Sequence, residues 1–232
     1  MTNFEYLTRA TAPERSWLRE APAIRRTLAG GVTRELYIAF LTEAYHHVRH
    51  TVPLLMALGS RLSERHGWLQ KELVHYQEEE LGHEQWILND IDAAGGFAAR
   101  AHEQAPAVET DAMIAYAYDT VTRRSPIGFF GMVFVLEGTS VSLAETAATS
   151  IQSTLGLPDR AFTYLRSHGR LDQQHVGHLA SIVDRLDVAQ DMPAVLTCAR
   201  AMFWLYGSMF HGLDRGINGS ERTGPARVVA CA

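Results

Sequence analysis

Lysine is almost missing from this 232-residue chain: Lys71 is the only one, and arginine carries nearly all of the positive charge. The arginines are scattered rather than massed, and the formal net charge is −5, so no nucleic-acid footprint is written in the sequence. Cysteine is scarce too. Cys198 falls in a helical pattern and Cys231 is the penultimate residue, which makes no disulfide framework and leaves a reducing cytoplasm as the expected location. No apolar run reaches the roughly 18 residues of a membrane span, so no membrane partner is expected. Residues 1–9 carry Glu5 and no apolar signal core, so secretion is not expected. Strand-type alternation, internal repeats and low-complexity tracts are all missing.

What is present reads as helix. Hydrophobic residues make up 47% and charged residues 20%, which suits one ordinary globular domain with a large core. Periodicity predicts helices over about 14–29, 33–50, 53–64, 68–94, 109–123, 126–153, 158–166 and 193–213, with another carrying Asp172 and ending near 187. Residues 97–108, with Pro106, read as a loop. Thr33 is a capping residue, and Ser125-Pro126 is a start signal. The expectation is an all-α bundle of about eight helices over residues 1–215, followed by a tail over 216–232.

Three of these helices contain ionisable residues where an apolar stripe should run. Leu69, Leu73, Tyr76, Glu80, His83 and Ile87 repeat at four- and three-residue steps and share one face. Phe130, Phe134, Glu137, Val141, Ala144, Ala148 and Ile151 do the same, and Glu137 is the only charged residue between Arg124 and Glu145. His168, Asp172 and His175 precede Leu179, Ile182 and Leu186 at matching steps, although Gly169 leaves open whether His168 joins that helix. Unpaired, such groups would each cost several kcal/mol in a core. A bound metal is the simplest compensation.

Plainer readings stand beside that one. Glu78, Glu79 and Glu84 surround the Glu80-x-x-His83 pair, so a solvated acidic face explains it equally well until register is considered. Glu78 and Glu84 fall off the stripe, whereas Glu80 and His83 continue it. Glu137 alone fits a structural ion pair with an arginine, and the His-x3-Asp-x2-His pattern fits a partly exposed polar helix. Glu43, His47 and His50, with His46 adjacent, form a further cluster opposite the apolar face of Ile38, Leu41, Tyr45 and Val48. Glu43 and His47 are candidates to line a substrate pocket, or to face solvent. A nitrogen and oxygen donor set without cysteine suits iron, with manganese as the alternative, better than zinc.

Taken together, the order and spacing resemble the heme-oxygenase-like di-metal oxidases and oxygenases. These are the iron-containing redox enzymes related by fold to thiaminase-type proteins and pyrroloquinoline-quinone synthase. The resemblance covers about Tyr37 to Leu213. It rests on the His-rich segment Tyr45 to Pro53, on Glu80-x-x-His83, on Glu137 and on His168-x3-Asp172-x2-His175. It implies two iron ions held by Glu80, His83, Glu137, His168, Asp172 and His175, with Glu137 bridging. It also implies dioxygen and a small organic molecule as substrates, and a homodimer by analogy.

One departure is visible. Where members often carry a carboxylate seven residues before the first histidine, this chain has Tyr76, either a phenol beside the metal or a core aromatic. Glu80 or Glu79 would then serve the first metal. The same fold without metal admits a cofactor-independent oxidase or a thiaminase-type hydrolase, for which Cys198 is the candidate nucleophile. A heme oxygenase needs an axial histidine near the N-terminus, and none precedes His46. A non-catalytic binding protein with a buried salt network is the reading from another class.

Overall fold

A computed structural model of the chain describes residues 1–219, with the side chains of 168–174 and 215–219 outside the described set. The described backbone is all-α. Twelve α-helices are present among the described residues, and four of them are short: α1 (Asn3–Ala10), α2 (Ala12–Arg19), α3 (Pro22–Leu28) and α8 (Ala98–Glu103). The eight longer ones are α4 (Arg34–Val48), α5 (Thr51–Gly59), α6 (Leu69–Glu80), α7 (His83–Ala93), α9 (Val108–Arg123), α10 (Phe130–Leu155), α11 (Thr163–Asp184) and α12 (Met192–Gly219).

Several boundaries differ from the expected ones for identifiable reasons. The helix expected over 14–29 is two, because Pro22 cannot donate a backbone hydrogen bond and instead opens α3. The loop expected over 97–108 contains α8. The helix expected over 68–94 breaks between Glu80 and His83, where Leu81 is extended (ψ 118°) and Gly82 is left-handed (φ 91°). A side chain at Gly82 would meet the αL penalty that glycine escapes. Thr33 caps α4 as expected, its hydroxyl accepting from Leu36 N at 3.2 Å. Gly169 does not interrupt α11, whose backbone runs unbroken from Thr163 to Asp184. The expected tail from 216 on begins as the end of α12, and residues 220–232 lie outside the described residues.

At the centre, α10 packs along α11 and crosses α12. The α12 crossing is close because of Gly131, where an added Cβ would lie 2.3 Å from Val195 O. Pro126–Leu155 is apolar enough to cross a membrane by length and composition, with hydropathy 1.7 over an 18-residue window. That corrects the sequence reading, in which Gly, Ser, Thr and Glu137 interrupt the apolar run without lowering its mean much. Of that window 67% is buried in the bundle, so its apolarity is spent on the core.

The N-terminus of α11 is fixed by a residue outside every expected motif. Asp90, fully buried on α7, accepts from Thr163 N at 3.0 Å and from Tyr164 N at 2.8 Å. This satisfies two donors that the helix start leaves free and sets the position of the helix carrying His175.

Candidate metal centre

A cavity of about 150 Å³ runs inside the bundle between α3, α4, α6, α10 and α12. Most of its wall is apolar, contributed by residues such as Ile24, Leu36, Val133, Leu143 and Ile151. Glu80 and Glu137 reach it from α6 and α10, accompanied by Tyr76 and His47. No lysine or arginine lines it among the described residues. Two carboxylates, each only 8% exposed, therefore line one largely apolar cavity.

The break at Gly82 shapes the first donor pair. It ends α6 at Glu80 and restarts the chain as α7 at His83, and Glu80 Oε2 lies 3.1 Å from His83 Nδ1. The His83 ring packs on Trp86, with centroids 4.1 Å apart, and is almost fully buried. On the facing helix, His175 is buried beside Tyr76, ring centroids 6.1 Å apart. Its Nε2 is 3.1 Å from Glu79 Oε2, and Glu79 Oε1 is 3.4 Å from the exposed His75. Glu79 thus spans from solvent to the buried imidazole.

Glu80 and Glu137 both line the cavity, His83 contacts Glu80, and His175 lies beside Tyr76, another lining residue, while the side chains of His168 and Asp172 lie outside the described set. Among the described residues no group of three or more His, Cys, Asp or Glu is arranged to hold a metal. The donors that are described fit iron by chemistry: imidazole nitrogen and carboxylate oxygen, buried, with no thiolate among them.

His47 and Glu43, paired by spacing, part company. His47 lines the cavity and meets Tyr206 edge-on, centroids 5.6 Å apart. Glu43 does not line it. Both of its oxygens accept from Ala107 N, at 3.2 Å each, at the start of α9. Burial pushes its pKa up, against hydrogen bonds from Thr110 and Ala107 that pull it down. The signal that could have found this partner is Pro106-Ala107, a helix start needing an acceptor. His46 is buried on the same side, and neither ring nitrogen has a hydrogen-bond partner among the described residues. Cys198 is buried at the α10–α12 crossing rather than on the cavity, and desolvation pushes its thiol up to about 12.

The architecture matches solved structures closely enough to define its class. A domain of unknown function with a heme oxygenase-like fold from Shewanella denitrificans superposes with a TM-score of 0.86 at 21% identity, covering 97% of each chain. A TenA homolog from Pseudomonas syringae gives 0.76 at 14% identity over 92% of each chain. Heme oxygenase-1 from the cyanobacterium Synechocystis, solved with heme, gives 0.74 at 12% identity over 95% of this chain and 96% of that one. These likenesses establish a heme oxygenase-like all-α fold. No curated protein matches the sequence. The family model for iron-containing redox enzymes matches residues 38–207, and the chain belongs to that family.

Proposed function

We propose that the protein is a non-heme di-iron oxidase or oxygenase acting on a small organic substrate, with manganese as the alternative metal. The observation that carries this reading is that Glu80 and Glu137, both buried carboxylates, line one largely apolar cavity, with His83 Nδ1 3.1 Å from Glu80 Oε2. Buried carboxylates are stabilised by a cation or by hydrogen bonds, and a divalent metal supplies the charge most directly. Glu80, His83, Glu137 and His175 would hold the metal together with His168 and Asp172. Iron bound there would activate dioxygen and oxidise the substrate.

The remaining work falls to this chain's own side chains. The apolar wall follows α10 from Glu137 to Ile151, roughly 20 Å at 1.5 Å per residue, and suits a substrate with an apolar body. The same wall keeps water away from the reacting end. His47 and Tyr76 are among the polar side chains that line the cavity and would orient a substrate's polar end. Glu79 holds its carboxylate against His175 Nε2, as carboxylates do when they orient a ligating imidazole.

A thiaminase-type hydrolase reading loses support because Cys198 is off the cavity and its thiol is held protonated by burial. Iron analysis after anaerobic loading with ferrous ion tests the proposal. About two irons per chain with substrate-dependent oxygen uptake are expected. A chain that takes up no iron under those conditions is a binding protein or a metal-free enzyme instead.

A further inference from the structure

A second cavity, of about 190 Å³, lies on the other side of α10, between that helix and α1, α2, α11 and α12. Three phenylalanines line it. The Phe134 ring meets Phe4 at 5.5 Å and 80°, and Phe203 at 6.2 Å and 88°, both edge-to-face. Arg15 and Arg19, one turn apart on α2, line the same space. No acidic side chain lines it among the described residues. Glu14, the acid beside Arg15 in sequence, turns instead to Arg200 at 3.3 Å. Arg15 donates to the Thr8 carbonyl at 2.7 Å, and both burial and the neighbouring Arg19 press its pKa downward. Two like charges side by side at an aromatic cavity call for an anion.

We propose that this cavity binds a small aromatic carboxylate, its ring among Phe4, Phe134 and Phe203 and its carboxylate on Arg15 and Arg19. The size is right: apolar cavities of roughly 150 Å³ hold a benzene ring, so about 190 Å³ leaves room for one substituent. The charge is right as well, because guanidinium forks match carboxylate geometry in two-point contact. The site is separate from the candidate metal centre but adjoins it. Thr139 lines both cavities, and Val176, which lines this one, directly follows His175. Binding here does not depend on the iron reading.

Benzoate titrated into the full chain, iron-loaded and metal-free, tests the site by saturation-transfer NMR and equilibrium dialysis. One equivalent is expected to bind in both forms, with benzyl alcohol weaker by roughly tenfold or more because it lacks the charge. Arg19→Ala should weaken benzoate by a similar factor and leave benzyl alcohol unchanged. Gly138→Leu should remove both ligands: Gly138 lines the cavity, and an added Cβ meets nothing within 4 Å. Helix propensity favours that substitution, and circular dichroism checks the fold. Should Gly138→Leu fail to fold, the Arg19→Ala comparison of the two ligands decides alone, since Arg19 is exposed. Unchanged benzoate binding in folded Gly138→Leu places the ligand elsewhere and overturns the proposal. Equal affinity for benzoate and benzyl alcohol, or no saturable binding, overturns it too.

Discussion

Glu43 and Glu137 are both buried glutamates on long helices, yet their surroundings differ in kind. Glu43 sits on the seam between α4 and α9, where both of its oxygens accept from Ala107 N. Glu137 lines the wall of the same cavity as Glu80. The first carboxylate is used up in joining two helices. The second faces a space that a ligand can enter. A buried acid points to chemistry where it meets volume, and to architecture where it meets a helix start.

The sharpest way to break this contrast is to remove a donor from each side. His175→Ala and Glu137→Gln should each lose iron and abolish metal-dependent oxygen uptake with helical content near normal. Glu43→Gln should keep its iron, as measured by metal analysis of the reconstituted protein. Iron retained in His175→Ala, or lost in Glu43→Gln, would reverse the assignment of the two sides.

Stability should move the opposite way. Asp90→Ala removes an acceptor from two α11 backbone donors and should cost about 2–3 kcal/mol in denaturant unfolding. Glu43→Ala, which frees one α9 donor, should cost about 1–2 kcal/mol by the same measurement. A Glu43→Ala protein as stable as the parent would show that the seam does not need its carboxylate.

The smallest effects are in pH dependence. Burial raises Asp90 from 3.8 to about 6, so the folded state holds the proton more tightly than the unfolded one. Its contribution therefore favours folding below about 3.8 and is lost as pH climbs through about 6. Asp90→Asn should flatten that limb of the stability curve. His46 behaves in reverse: burial, then the charges of Arg49, His50 and His102, lower its pKa below 6.5. Its neutral form is favoured in the fold, so its contribution is present above pH 6.5 and is lost as pH falls below that value. His46→Phe should shed part of the acid-side loss. An unaltered acid limb in that variant would assign the loss to other groups.

Glu79→Gln sharpens the contrast on the metal side alone. It should weaken iron binding by roughly tenfold to a hundredfold, the usual cost of losing a carboxylate behind a ligating imidazole. An unchanged iron affinity would leave Glu79 as a surface partner of His75 only.

Local sequence carried the helices themselves. Thr33 capped where it should, and the stripe through Leu69, Leu73 and Ile87 put Glu80 and His83 on the inward side. The break between those two residues was harder to read, because a lone glycine inside a periodic segment is usually tolerated. It became a break because the chain turns there, which periodicity does not encode. Asp90 was illegible for another reason. Its partners, Thr163 and Tyr164, are more than seventy residues away, and nothing in its own helix announces them. The separation of His47 from Glu43 has the same origin, since four residues along a helix fix a shared face but not what that face meets.

The sequence by itself determined that this chain is a bundle of amphipathic helices and that ionisable groups interrupt its apolar stripes, because both follow from 3.6-residue periodicity within single segments. Only the tertiary structure decided which of those groups look into a cavity and which tie one helix to the next. Burial, cavity volume and hydrogen-bond partners depend on contacts between helices far apart in the chain, and no local pattern specifies them.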